Sequence, residues 1–92
     1  MADKHNIHYS ETLTGFKWLA TVAREHKDWN TVMAFEEAIG YSSGMDGLVV
    51  GDKDGVSTAC VMLEMGNILY KKGETFHSYL DQIYKKYGYH AW

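Results

Sequence analysis

Glu36 and Glu37 are adjacent carboxylates at a point where one kind of structure gives way to another. The run Thr31-Val32-Met33-Ala34-Phe35 reads as a strand, and Ile39-Gly40-Tyr41 opens a glycine-spotted stretch. Successive strand residues face opposite sides, so neighbouring acids inside a strand would drive one charge into a core. At the carboxyl end of a strand both can turn outward, and in open α/β sheets ligands bind along that edge. Two fixed carboxylates beside a glycine turn suit a polyol, because each accepts hydrogen bonds from hydroxyls. A solvated pair at the start of a loop explains the same residues equally well.

Asp52-Lys53-Asp54-Gly55 is the second stretch with chemistry in it. A calcium loop with Asp52 and Asp54 at its third and fifth places would put Val50 and Val61 where acids are required, so calcium is excluded. What remains is a lysine between two acids at the mouth of a helix. Lys53 could meet a phosphate there as a point charge beside the helix N–H groups, or it could be a surface cap with an ion pair. Thr14-Gly15, with Lys17 after it, could cradle an anion, but the ordinary capping role of a hydroxyl before a helix weighs more. His5 and His8 have a helical spacing without a second ligand pair, and no nucleophile triad, Walker loop or dinucleotide fingerprint occurs.

The elements that must hold these groups follow from periodicity. Phe16, Leu19, Ala20 and Ala23 form one stripe, which predicts an amphipathic helix over 15–27. Ile7-His8-Tyr9 reads as a short strand, and Trp29 as cover for the helix end. Residues 40–55 read mostly as loop, with Leu48-Val49-Val50 as one short strand inside it. Asp54 is placed to cap a second helix whose stripe is Val56, Ala59, Cys60 and Leu63, stopped by Gly73. Thr75 should cap a third, with Phe76, Tyr79, Leu80, Ile83, Tyr84 and Tyr87 in phase up to Gly88.

The 92 residues limit the chain to one small domain, and 46% apolar residues make a packed core feasible. A net charge of -3 without a basic cluster argues against a nucleic-acid partner. No apolar run approaches the ~20 residues that span a bilayer. Cys60 is alone, which fits a reducing compartment, and the polar start of the chain makes a cytoplasmic location the expectation. Two or three strands with three helices give an α/β class, yet so few strands make a poor sheet on their own.

Three segments taken together resemble one family. They are Glu11-Thr12-Leu13-Thr14-Gly15-Phe16-Lys17-Trp18, Phe35-Glu36-Glu37-Ala38-Ile39-Gly40-Tyr41 and Asp52-Lys53-Asp54-Gly55-Val56-Ser57, and the ending Tyr84-Lys85-Lys86-Tyr87-Gly88-Tyr89-His90 agrees. In this order they look like the third domain of the α-D-phosphohexomutase superfamily, nearest its phosphoglucomutase and phosphopentomutase branch. The resemblance covers most of the chain, from about His8 to His90. It implies an incomplete mixed-sheet α/β sandwich over residues 1–92, with a first strand and helix of the domain missing and a sheet edge left open to self-association.

The same resemblance implies the site. Glu36 would be the carboxylate that reads sugar hydroxyls, Lys53 would approach the phosphosugar, and Thr14 and Gly15 would face the same cleft. Ala38 stands where a serine is common in the family, so its contribution would be backbone or packing only. The substrate class would be a hexose or pentose phosphate, and the chemistry an intramolecular phosphoryl transfer through a phosphoserine enzyme. The serine and the loop for Mg2+ would belong to the remaining domains of a parent enzyme, leaving this chain inactive alone, with no cofactor of its own. The competing class is a stand-alone interaction module that self-associates and binds no sugar.

Overall fold

In the computed structural model, residues 1–45, 48–49 and 51–90 are described. They form two compact units, Ala2–Ala59 and Cys60–Trp92, with Met1 grouped in the second.

In the first unit a single 3-10 turn, Asp3–His5, precedes a segment without regular secondary structure, so the strand expected at Ile7-His8-Tyr9 is not formed. Helix α1 covers Phe16–Glu25 and buries Phe16 and Ala20, the first and third members of its predicted stripe. Beyond its end, Trp29 lies between two imidazoles, 3.8 Å from the His26 ring and 4.7 Å from the His8 ring. Those two stacks tie the segment around His8 to the end of α1.

Strands β1 (Met33–Glu36), β2 (Gly40–Met45) and β3 (Leu48–Val49) make a three-stranded sheet in the order β1-β2-β3, both pairings antiparallel. The expected loop after Gly40 is therefore largely a strand. Glycine and serine have poor intrinsic strand preference, and here cross-strand pairing with β1 overrides it. Val50, expected in the short strand with Leu48 and Val49, lies outside the described residues. The last cross-strand pair of the hairpin is Glu36 with Gly40, leaving residues 37–39 as its turn. Loops of three residues close on a residue in the left-handed region, and Ile39 occupies it with φ 56°. The carboxylates thus stand at a hairpin tip rather than along the edge of a parallel sheet.

Helix α2 (Gly55–Lys71) starts in the first unit and continues into the second, where α3 (Phe76–Tyr87) follows. Thr75 caps α3 as predicted, in a reciprocal pair: the Ser78 N–H donates to its hydroxyl and the Thr75 N–H donates to the Ser78 hydroxyl. The end of α2 also follows its prediction, with Gly73 at φ 72° and the Glu74 N–H returning to the Leu69 carbonyl. The burial of α2 differs from its expected stripe. Leu69 is buried, whereas Val56 and Cys60 are exposed and Leu63 is 74% exposed. Val61-Met62-Leu63 places apolar side chains on consecutive positions, more than one face of a helix can cover. No helix among the described residues is long and apolar enough to cross a membrane.

Candidate functional site

The hairpin tip, the start of α1 and the segment before α2 converge within the first unit. Each is placed by a local cause. The Asp54 carboxylate accepts from the N–H groups of Val56 and Ser57, both at 3.1 Å, so it caps α2 as the sequence predicts. The Asp54 N–H in turn donates to the Tyr41 carbonyl at 2.8 Å, which pins the mouth of α2 beside β2. Lys53, one residue earlier, is thereby carried to the hairpin tip. Gly40 makes room for it: a Cβ there would stand 2.5 Å from Phe16 Cε2 and 2.9 Å from Lys53 Cε.

The Lys53 ammonium lies 2.8 Å from Glu36 Oε1 and donates to the Ala38 carbonyl at 3.1 Å. The other Glu36 oxygen, Oε2, accepts from the Gly15 N–H at 2.9 Å. The side chain of Glu36 is only 5% exposed and that of Lys53 is 46% exposed. An inward carboxylate is sustainable because both of its oxygens are met by donors, one of them charged. The expectation that both acids turn outward therefore holds for Glu37 alone.

Thr14 also departs from its expected use. Its hydroxyl does not cap α1, where Gly15 is the N-cap residue without a side-chain bond. It donates instead to Glu37 Oε1 at 2.7 Å. That bond, with Glu37's own backbone N–H and the Lys53 charge, holds the Glu37 carboxyl below its ordinary range. The Ser57 backbone N–H, its side chain and the Val56 N–H do the same for Asp54.

Thr14, Gly15, Glu36, Ala38 and Lys53 are therefore neighbours, although they come from three separate stretches of sequence. The arrangement offers a partly exposed ammonium whose position is fixed by a buried carboxylate and a carbonyl. Beside it stand an exposed carboxylate and a hydroxyl. An anion can be met by the first and a hydroxylated molecule by the others. The sequence marks Glu36 and Glu37 only as a pair and gives no sign of the bond from Thr14 to Glu37; two adjacent acids do not reveal which one folds inward. Among the described residues no group of three or more His, Cys, Asp and Glu could hold a metal ion. A divalent cation such as Mg2+ therefore finds no fitting donor set there.

Residues 1–87 match the model of the phosphoglucomutase/phosphomannomutase family, alpha/beta/alpha domain III. The chain belongs to that family. Among its relatives, the mouse phosphopentomutase is 44% identical over 92 residues, and human glucose 1,6-bisphosphate synthase is 40% identical over the same length. A probable phosphoribomutase of Schizosaccharomyces pombe is 40% identical over 93 residues, covering 99% of the chain. The alignments cover 98% of this chain with the first two but only 14% of their lengths. No solved structure gives a significant match. Membership supports the α/β class and the assignment to a third domain.

Proposed function

We propose that this domain III chain is the sugar-phosphate recognition segment of a phosphoglucomutase or phosphopentomutase. The carrying observation is the Lys53–Glu36 pair at 2.8 Å, set at a hairpin tip against the first residues of α1. Lys53 has three N–H donors, of which Glu36 and Ala38 take two, so one remains for a phosphate or ring oxygen. Glu36 holds Lys53 and keeps second lone pairs on its oxygens for a sugar hydroxyl. Thr14 and Gly15 form the wall at the start of α1, and the Ala38 carbonyl fixes the ammonium.

Phosphoryl transfer depends mainly on positioning and on neutralising charge. In this reading the chain contributes positioning, and the phosphorylated serine and Mg2+ belong to other domains of a cytoplasmic parent enzyme. By itself the chain is catalytically inactive. The test is a titration of the isotopically labelled chain with ribose 1-phosphate and glucose 1-phosphate, followed by amide NMR shifts. Shifts concentrated at 14–15, 36–40 and 52–54 support the reading, and a flat titration with both ligands removes it.

A second reading draws on the exposed apolar side chains of α2, Leu63 at 74% among them. Here the chain is an interaction module that self-associates and binds no sugar. Light scattering across a concentration series, together with the same titration, separates the two.

A further inference from the structure

We propose that His8, Trp29 and His26 form a clasp that protons tighten. With both imidazoles neutral the rings only stack. On mild acidification each contact becomes a cation on a ring face, and the segment from His8 to Thr14 is held more firmly to the end of α1. This does not depend on the sugar-phosphate reading.

The two jaws differ in origin. His26 and Trp29 meet locally, in a turn where the Trp29 N–H donates to the His26 carbonyl at 2.9 Å. Their rings lie 3.8 Å apart with 6° between the planes, and both residues are half-buried. His8 is exposed and reaches the same indole from the other side of α1 in sequence, at 4.7 Å and 4°. Among the described residues the side-chain hydrogen bonds between His8 and Thr14 are local, from Tyr9 to Glu11 and from Thr12 to the Leu13 carbonyl. The stretch is therefore tied at one end by the His8 ring and at the other by Thr14 and Gly15, through Glu37 and Glu36.

This geometry suits the charged imidazole better than the neutral one. Neutral aromatic rings prefer offset or edge-to-face arrangements, because their faces are both electron-rich. An imidazolium is a cation, and indole is the best ring partner for a cation within about 6 Å of its centroid. Both contacts fall inside that reach. His26 is also the C-cap residue of α1, with its N–H on the Val22 carbonyl, where the helix dipole favours positive charge. Nearby charges do not reverse the sign. The segment of His8 carries Asp3, Lys4, His5 and Glu11, and the end of α1 carries Arg24, Glu25, Lys27 and Asp28, so both signs stand on each side. Arg24 is turned toward Gly51, its Nη2 3.2 Å from where a Cβ there would lie, on the segment that also carries Asp52. Repulsion between the two imidazoliums acts across the intervening indole and limits the gain from the second proton.

Histidine ordinarily titrates at about pH 6.5, well above the carboxylates, so comparing about pH 8 with about pH 5.5 isolates the clasp. Amide hydrogen exchange over residues 7–14, corrected for its intrinsic chemical rate, is measured in the unaltered chain, His8→Gln, Trp29→Leu and Trp29→Phe. Protection in the unaltered chain should rise by about threefold at the lower pH, the effect of one exposed cation–ring contact. The rise should vanish in His8→Gln and Trp29→Leu and persist in part in Trp29→Phe, whose ring still accepts a cation. Unchanged amide dispersion over 33–45 identifies the folded variants, and His8→Gln, altered at an exposed position, serves if Trp29→Leu does not fold. Equal protection at both pH values in the unaltered chain overturns the proposal. So does a rise of the same size in His8→Gln, or a loss of protection on acidification, which would mean that repulsion between the imidazoliums prevails.

Discussion

The Lys53 ammonium and the Glu36 carboxylate, 2.8 Å apart, join the mouth of α2 to the tip of the β1–β2 hairpin. Glu36 is nearly buried, so the pair is more than surface decoration. Replacing Glu36 with Ala leaves the Gly15 N–H and the Lys53 ammonium each short of an acceptor. The expected cost is about 1–3 kcal/mol of unfolding free energy. Lys53→Met keeps the apolar stem beside Gly40 but leaves the carboxylate one donor fewer. Because Lys53 is 46% exposed, water screens it, and a double-mutant cycle should return a coupling of about 1 kcal/mol. Urea unfolding of the four chains measures it, and a coupling below ~0.3 kcal/mol would show that the pair contributes nothing beyond proximity.

Gly40 is where the hairpin and α1 come closest. A methyl group there would meet the buried Phe16 ring at 2.5 Å and the Lys53 stem at 2.9 Å. The lysine can swing away, but Phe16 is part of the core of its unit. Gly40→Ala should therefore cost about 1–3 kcal/mol, the range for overpacking a filled core. It should also displace Lys53 from Glu36, so amide shifts at Gly15 report the lost geometry. Full stability with unchanged Gly15 shifts would mean that the approach is looser than these distances.

Both α1 and α3 announce themselves through periodic stripes, and Gly73 and Gly88 mark the ends of α2 and α3. Strand β2 does not, because Gly40, Ser42, Ser43 and Gly44 are turn-type residues whose strand conformation comes from pairing, the first three with β1 and Gly44 with Val49 of β3. The site is less legible. By periodicity Glu36 and Lys53 are equivocal surface charges, and only their order among three family-like segments groups them. Even then, which acid faces inward depends on the Gly15 N–H and Lys53 arriving from distant sequence, and Thr14 reads as a cap until Glu37 is seen to take its hydroxyl. The same gap explains the overestimate of burial along α2, where apolar character says what a side chain prefers but not what stands opposite it.

The two lowered carboxylates set an acid limit on stability. A group whose folded pKa is depressed adds stability above its unfolded titration, and that stability is lost as pH falls through the folded value. For Glu37 and Asp54 the window opens near the ordinary carboxylate values, about 4, and extends downward. Apart from the small gain of the His8–Trp29–His26 clasp, thermal melts of the parent chain should thus be flat from neutral pH to about 5 and decline below it. Asp54→Asn should lower Tm at neutral pH and flatten that decline, since the neutral amide still accepts at the start of α2 but no longer titrates. Thr14→Val should flatten it less, because Glu37's own N–H and Lys53 still favour its ionised form. An acid slope identical in all three chains would assign the decline to other groups.

Ile39 closes the hairpin in the left-handed region at φ 56°, a conformation that a β-branched side chain resists. At 87% exposed it gains little from packing within its own unit, so the backbone cost is not offset there. Asn tolerates the region through its short polar side chain. Ile39→Asn should raise stability by about 1 kcal/mol, read as a higher urea midpoint at unchanged slope. Ile39→Gly relieves the same strain but enlarges the freedom of the unfolded chain, so its gain should be smaller. The order Asn above Gly above Ile is the signature of turn strain. A loss of stability in Ile39→Asn would show instead that the isoleucine side chain is covered in solution, and a dimer found only in the unaltered chain would identify the cover as a second copy.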